Sequence, residues 1–391
     1  YISIFMSATN ASGGQQSKLP LKERLQGSKI KRPVEIASWS QNKLNEIFFD
    51  DRALSYYYFK NEILDQHTID LSKGFNPKEF SNSTATYLDN LLTGIIHEEK
   101  KTQQKLPVDI ITWRGILTML LKLSQGQTNP DLVSEEIDLL VTKFDGQIFI
   151  SQSDSMAVAS KAFIDSKPFI KKFMYSGFQF EHVATLPKPW GECSRAEIEN
   201  RYTTPQPTDP KLNSEYCILI KGGIGDIALA YGCETDCVIG DKNMSDKLAN
   251  YLELKTSKVI YNSKDAQNFE KKLLNTWIQS FLAGVPRVAY GFRDSQLHLK
   301  AVETYEVAQL PVLVKKSKQL PATSKWDGHD VMQFYSIVTQ WLKDKVQDNC
   351  TYSLKFTPNT SHLVLKPDEV NIGRKHAFLS DEFVNWRNSL H

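Results

Sequence analysis

Apolar and polar positions alternate most densely between Glu215 and Lys255. There, β-prone runs over 215–221 and 227–239 flank Gly222-Gly223-Ile224-Gly225-Asp226, and a third, Tyr251-Leu252-Glu253-Leu254-Lys255, follows a polar gap. Apolar runs bounded by turn residues read as strands, and clustered glycines supply the positive φ of a hairpin reversal. Elsewhere the period is helical. Leu88, Leu91, Leu92, Ile95 and Ile96 form one stripe over 87–99, and Phe334, Tyr335, Val338, Trp341 and Leu342 form another over 331–346. A third helix over 268–283 turns Phe269, Leu273, Leu274, Trp277, Ile278, Phe281 and Leu282 inward, leaves Asn268, Lys272, Asn275 and Gln279 on a separate face, and ends at Gly284 and Pro286. Further strands are predicted at 54–59 (an aromatic core strand), 109–115, 147–150 after an Asp145-Gly146 turn, and 287–294. A closing hairpin turns at Pro358-Asn359, and Ser380 caps a last helix through Phe383 and Trp386. Residues 195–201 read as a charged helix and 204–210, with three prolines, as a link into the central sheet. No repeat is visible and no polar linker separates two cores, so the pattern predicts one α+β domain.

Composition narrows the class. The chain has 391 residues, 41% hydrophobic and 24% charged, with a net charge of +2. That supports a sizeable core and excludes a general nucleic-acid coat, so any nucleic-acid contact is local. Five cysteines, sparse and odd in number, argue for a reducing compartment, which makes the Asn82-Ser83-Thr84 sequon irrelevant. No apolar run approaches the roughly 18 residues of a membrane span. The opening residues are too short for a secretory signal, and Met6 is a candidate start. Residues 7–28, rich in Ser, Gly, Gln and Asn, are expected to be disordered. The basic cluster Lys29 to Pro33 reads as an import signal or a solvated leader. The expected organisation is an unstructured leader over 1–33 and a single domain over 34–391.

Candidate chemistry sits in the central run. Residues two apart on a strand share a face, so Glu234 aligns with Asp236, and Glu253 with Lys255. Pairing the two strands would gather three carboxylates and one ammonium. Such a cluster repels itself unless a cation offsets it, and Mg²⁺ or Mn²⁺ prefers these oxygen donors. The competing reading is a solvated strand face. Cys233 and Cys237 fall on the opposite face and read as buried thiols rather than a metal pair. Arg114, closing an apolar strand, needs a partner: a buried ion pair or a phosphate. Glu181 alone reads as a surface residue. Leu186-Pro187-Lys188-Pro189-Trp190 is a proline-stiffened loop whose Trp190 either folds onto the core or anchors a partner.

An acidic residue followed after a gap by Glu-x-Lys resembles the core of PD-(D/E)XK metal-dependent nucleases. Four features in order extend that likeness: Trp113-Arg114-Gly115, Gly177-Phe178-Gln179-Phe180-Glu181, Glu234-Thr235-Asp236 and Glu253-Leu254-Lys255. With Trp277 to Leu282 and Phe144 to Ile150, they resemble the motif set of the DXO/RAI family of RNA 5′-end decapping and pyrophosphohydrolase enzymes. The likeness runs from about Val34 to the C-terminus and favours the fungal nuclear branch, which partners a nuclear 5′→3′ exoribonuclease. Thr235, where the family often has an apolar residue, is a mild departure. The resemblance implies two packed, mostly mixed β-sheets with flanking helices and a deep pocket, and hydrolysis of RNA 5′ ends with divalent metal. By motif, Glu181, Asp236, Glu253 and the Leu254 carbonyl would bind metal, and Glu234 would do so through water. Lys255 and Gln279 would position the attacking water, and Arg114 would bind the 5′ phosphates. Two other functions fit the same features: a non-catalytic activating subunit of the exoribonuclease, and a DNA-directed nuclease of the same core.

Overall fold

The structure is a computed structural model describing residues 15–23, 28–80, 87–126, 130–207, 214–242, 245–322, 325–368 and 378–391. Most of the expected disordered leader, the Asn82-Ser83-Thr84 sequon and residues 208–210 of the proline-rich link lie outside the described residues. The strands, in chain order, are β1 (Ser17–Pro20), β2 (Ile30–Asn42), β3 (Ile47–Phe48), β4 (Tyr56–Tyr57), β5 (Ile110–Trp113), β6 (Ile137–Phe144), β7 (Gln147–Gln152), β8 (Thr185–Leu186), β9 (Ser214–Ile224), β10 (Ile227–Thr235), β11 (Cys237–Val238), β12 (Tyr251–Lys258), β13 (Arg287–Arg293), β14 (Leu299–Glu306), β15 (Thr351–Phe356) and β16 (His362–Pro367). The helices are α1 (Asp89–Thr102), α2 (Arg114–Lys122), α3 (Asp154–Asp165), α4 (Pro168–Ala184), α5 (Arg195–Asn200), α6 (Ser263–Ala283), α7 (Leu310–Lys316), α8 (Gly328–Lys345) and α9 (Asp381–Asn388).

Among the described residues the strands form two mixed sheets, ordered β1-β16-β15-β6-β7-β5-β10-β9-β2-β3 and β14-β13-β12-β11-β4-β8. β5 runs parallel to both β7 and β10 in the first sheet, and β12 runs parallel to β13 in the second. One core joins them. Ile110 and Leu229 of the first sheet, Tyr251 and Val288 of the second, and Ile116, Leu274 and Phe334 of α2, α6 and α8 bury their side chains together. The hairpin β9–β10 closes on Gly225-Asp226, with Ile224 opposite Ile227 and Gly225 at φ 57°. That positive φ is the one the glycine run anticipates.

The apolar stripes of α1, α6 and α8 are buried as expected. Ser380 caps α9 by accepting the Phe383 N–H. That helix is fastened by Arg387, which is wholly buried and donates to both Glu99 oxygens and to Asp145.

Several expectations need correction. Ser17–Pro20 and Lys31 to Pro33 fall in the expected unstructured leader, and both are strand. The 54–59 run is strand only at Tyr56–Tyr57, and its aromatics are half-buried rather than core. The 109–115 strand stops at Trp113, and Arg114 opens α2. Most consequentially, the run through Glu234 and Asp236 is not one strand. It breaks after Thr235 and resumes at Cys237 in the other sheet, so β11, not β10, pairs with β12.

Candidate active site

Glu253 and Lys255 project from one face of β12, as their spacing requires, and Lys255 Nζ donates to Glu253 Oε1. Arg114, at the start of α2, donates through Nη1 to Glu253 Oε2 at 3.2 Å. The Glu253 side chain is 2% exposed, with a cation on each oxygen. Burial alone would raise its carboxyl, but Lys255 and Arg114 overcome that and hold it at about 2. Burial works against both cations too, and the Glu253 charge outweighs it, raising each above its ordinary value. Arg114 therefore is a buried ion-pair partner, and the acid it meets belongs to the site.

Asp236 stands where the chain leaves one sheet for the other. Its Oδ2 accepts the Leu254 N–H at 2.5 Å. Leu254 therefore joins the cluster through its N–H, and the carbonyl that the motif gives as a metal ligand belongs to the same residue. Burial, then the Glu253 charge, pushes the Asp236 carboxyl up to about 7. Glu181 occupies the last turn of α4. Its carboxyl is pushed well above the ordinary range by burial, then by Asp236, with Glu234 and Glu253 adding to the repulsion. Glu181 is therefore not the isolated surface acid that its local sequence indicates. Close packing brings it in: Phe180, wholly buried, lies where a Cβ on Gly291 of β13 would meet its ring at 2.6 Å. Only a residue without a side chain lets α4 approach the sheet that carries Lys255. Glu234, at the end of β10, is exposed, yet its charge reaches Glu181 and Arg114.

No three acidic, His or Cys side chains form a ready-made metal cage among the described residues. Lys255 and Arg114 hold Glu253, and the Leu254 N–H holds Asp236. The donor chemistry nonetheless fits a hard divalent cation. The donors are all oxygens, and two of the carboxyls are pushed up by burial and then by neighbouring negative charge that the two cations leave uncompensated. A proton or a cation relieves that charge.

Beside the carboxylates opens a cavity of about 440 Å³ lined by Lys255, Thr256, Lys272, Asn275, Gln279 and Tyr290 among others. Gln279 Oε1 is buried without a protein hydrogen-bond partner, an acceptor free for a water or a substrate hydroxyl. Lys272 and Asn275 escaped assignment from sequence, although they share a polar face of α6 with Gln279. That stripe was the available signal.

The remaining candidates separate cleanly. Cys233 and Cys237 are free and buried, and the strand break puts them in different sheets. Trp190 is 64% exposed and stacks on Tyr58 at 6.3 Å, so it does not fold into the core.

A profile of the family described as RAI1-like PD-(D/E)XK nuclease matches residues 31–384. The chain is 33% identical to the decapping nuclease RAI1 of Debaryomyces hansenii over 391 residues, covering 95% of this chain and 98% of that one. The Candida albicans Rai1 crystal structure in complex with pU5 and Mn²⁺ superposes with a TM-score of 0.86 at 32% identity, over 96% of this chain and 100% of that one. Scheffersomyces stipitis Rai1, in complex with (3′-NADP)⁺ and calcium ion, gives 0.83 at 31% identity, over 95% and 100%. The chain belongs to the RAI1-like PD-(D/E)XK nuclease family.

Proposed function

We propose that this chain is a divalent-metal-dependent hydrolase of RNA 5′ ends. Its proposed substrates are triphosphorylated or incompletely and non-canonically capped RNA, released as 5′-monophosphate RNA plus pyrophosphate or a cap dinucleotide. The observation that carries the reading is the compensated Glu253 between Lys255 and Arg114, set beside uncompensated Asp236 and Glu181, with Lys255 also lining a cavity. Its relatives are named decapping nucleases, and one is seen with a 5′-phosphorylated oligouridylate and Mn²⁺.

Glu181, Asp236 and Glu253, with Glu234 behind them, would hold Mg²⁺ or Mn²⁺, which supplies Lewis-acid polarisation of the attacked phosphoryl group and activates water. The residues of the chain do the rest. Gln279 Oε1, unpartnered and buried, accepts a hydrogen bond from the attacking water and fixes its direction. Water attacks the phosphorus that stays on the product RNA, which is the α-phosphorus of a triphosphate or the phosphodiester after the first nucleotide of a capped end. The bond from that phosphorus to the leaving oxygen breaks, and pyrophosphate or the cap dinucleotide leaves with the electron pair. Lys255 donates to a non-bridging oxygen as charge builds there. Arg114, with donors beyond the one given to Glu253, binds the 5′ phosphates. The Leu254 N–H keeps Asp236 oriented.

A second surface serves a partner. Trp190 stands out on a stiff loop, backed by Tyr58, whose ring is also faced by the Arg201 guanidinium at 5.2 Å. An exposed, pre-organised Trp docks at low entropic cost. In this reading it anchors a nuclear 5′→3′ exoribonuclease, which consumes the 5′-monophosphate product, and the protein works in the nucleus.

The deciding assay is pyrophosphate release from 5′-triphosphate RNA with Mg²⁺ or Mn²⁺. Activity abolished by EDTA and by Asp236→Asn supports the reading. Metal-independent product, or none from any capped or triphosphorylated RNA, refutes it.

A further inference from the structure

Beyond the carboxylates, three elements converge on one line leading out of the cavity. On α4, Glu181, Gly177 and Phe173 recur every four residues and so lie on one face, about 12 Å from end to end. A Cβ on Gly177 would meet nothing within 4 Å, so the space between Glu181 and Phe173 is open. From α6, Lys272 lines the same cavity as Lys255 and Gln279. From β13, the Arg293 guanidinium sits 4.6 Å over the Phe173 ring. The ring is 44% exposed, and Phe169, 59% exposed, meets its edge at 6.2 Å.

Neither cation along this line is held in an ion pair among the described residues; the Asp294 charge acts on Arg293 only through space. No salt bridge joins Lys272 or Arg293 to a carboxylate among the described residues, and Arg293 Nε is buried without a hydrogen-bond partner. The neighbouring Asp294 is committed to Lys300 at 3.2 Å and to the N–H groups of Gln296 and His298. Burial, then Arg293, lowers the Lys272 ammonium, so the two cations lie within mutual repulsion. Two unpaired cations beside an aromatic face are the combination that single-stranded nucleic acid uses: phosphates on the cations, a base on the ring.

Resting on the 5′-end hydrolase reading, we propose that single-stranded RNA beyond the reacting end leaves the cleft along Lys272, Arg293 and Phe173. The two cations take backbone phosphates, and Phe173 takes a base. The track offsets the acidic interior for the polyanion that must enter it. It also makes the enzyme sensitive to chain length rather than to sequence, because every base has a stacking face.

The test compares wild type with Phe173→Ala and with Lys272→Met/Arg293→Met. One readout is kcat/KM for pyrophosphate release from a 5′-triphosphate dinucleotide and from a long unstructured 5′-triphosphate RNA. The other is the salt dependence of binding to long 5′-monophosphate RNA. Phe173→Ala is expected to lower kcat/KM on the long RNA by about tenfold, mainly through KM, with little change on the dinucleotide, and so to shrink the preference for length. The double variant is expected to flatten the plot of log affinity against log salt by about 0.7 per cation removed. Equal losses on both substrate lengths, or an unchanged salt slope, overturn the track. If the wild type releases nothing from either RNA, the hydrolase reading fails, while the salt slope still judges the track.

Discussion

Neutralising Asp236 and neutralising Glu253 should both abolish hydrolysis, yet they should move stability in opposite directions. Asp236→Asn keeps an oxygen to accept the Leu254 N–H and removes a charge that the fold resists. In the folded protein the carboxyl lies at about 7 against an ordinary 3.8. The folded-state value is the higher one, so the stability linked to this group is fully present below 3.8 and is lost as pH rises through about 7. At pH 8 the ionised carboxylate costs up to about 4 kcal/mol, reduced to roughly 1–2 kcal/mol because solvent reaches this half-buried side chain. Glu253→Gln works the other way. Its carboxyl is depressed from 4.5 to about 2, so its contribution is full above 4.5 and lost as pH falls through about 2. At neutral pH, removing that charge forfeits about 3 kcal/mol and leaves Arg114 and Lys255 facing each other without their shared acid. Thermal melts in EDTA between pH 6 and 8 read the difference. Relative to wild type at pH 8, Asp236→Asn should melt a few degrees higher, with a flatter pH dependence, and Glu253→Gln should melt lower. Excess Mn²⁺ should raise the wild-type melting temperature and leave Asp236→Asn nearly unmoved. Two inactive variants shifting the same way in EDTA would refute this charge balance.

On the proposed reading, which sets its ammonium at the attacked phosphate, Lys255→Ala should lower turnover far more than RNA affinity; a collapse in affinity with turnover intact would make it a backbone anchor. Trp190→Ala should leave the melting temperature and hydrolysis nearly unchanged and weaken exoribonuclease binding by about 2 kcal/mol in a titration, and normal binding would remove the anchor. Arg387→Met should cost about 3–5 kcal/mol in urea unfolding because it strands the buried Glu99 carboxylate, and adding Glu99→Gln should recover much of that; an Arg387→Met variant as stable as wild type would contradict it.

Much of the site could be read from local sequence because strand and helix periods are local. Glu253 and Lys255 share a face for the reason their spacing gives, and the polar stripe of α6 does line a cavity. What could not be read is where a strand changes sheets. Thr235 and Cys237 look continuous in sequence, and only the packing of two sheets makes Asp236 the crossing point. Glu181 was opaque for a related reason. Its segment holds Gly177 among the aromatics Phe173, Tyr175, Phe178 and Phe180, residues of modest helix propensity, and its helix is secured by Phe180 against Gly291, more than a hundred residues away. No local period encodes that contact.

Arg114 shows how such ambiguity resolves. An arginine at the end of an apolar run can satisfy its charge with a carboxylate or with a phosphate, and these read as rival assignments. The structure shows the carboxylate, and on the proposed reading one position serves both. The side chain is 11% exposed and gives Nη1 to Glu253, at the wall of a cavity lined by the adjacent Gly115 and by Lys255. A guanidinium has five donors, so holding Glu253 leaves others for a 5′ phosphate. On the proposed reading, a divalent cation taken up by Glu253 offsets the acid that Arg114 now balances, and the guanidinium's charge becomes available to the substrate. The buried ion pair is then less a contributor to stability than a means of keeping two opposite charges ready in a poorly solvated place. Removing either partner alone strands the other, which is why Arg114→Met should lose activity and stability together, while Asp236→Asn loses activity alone.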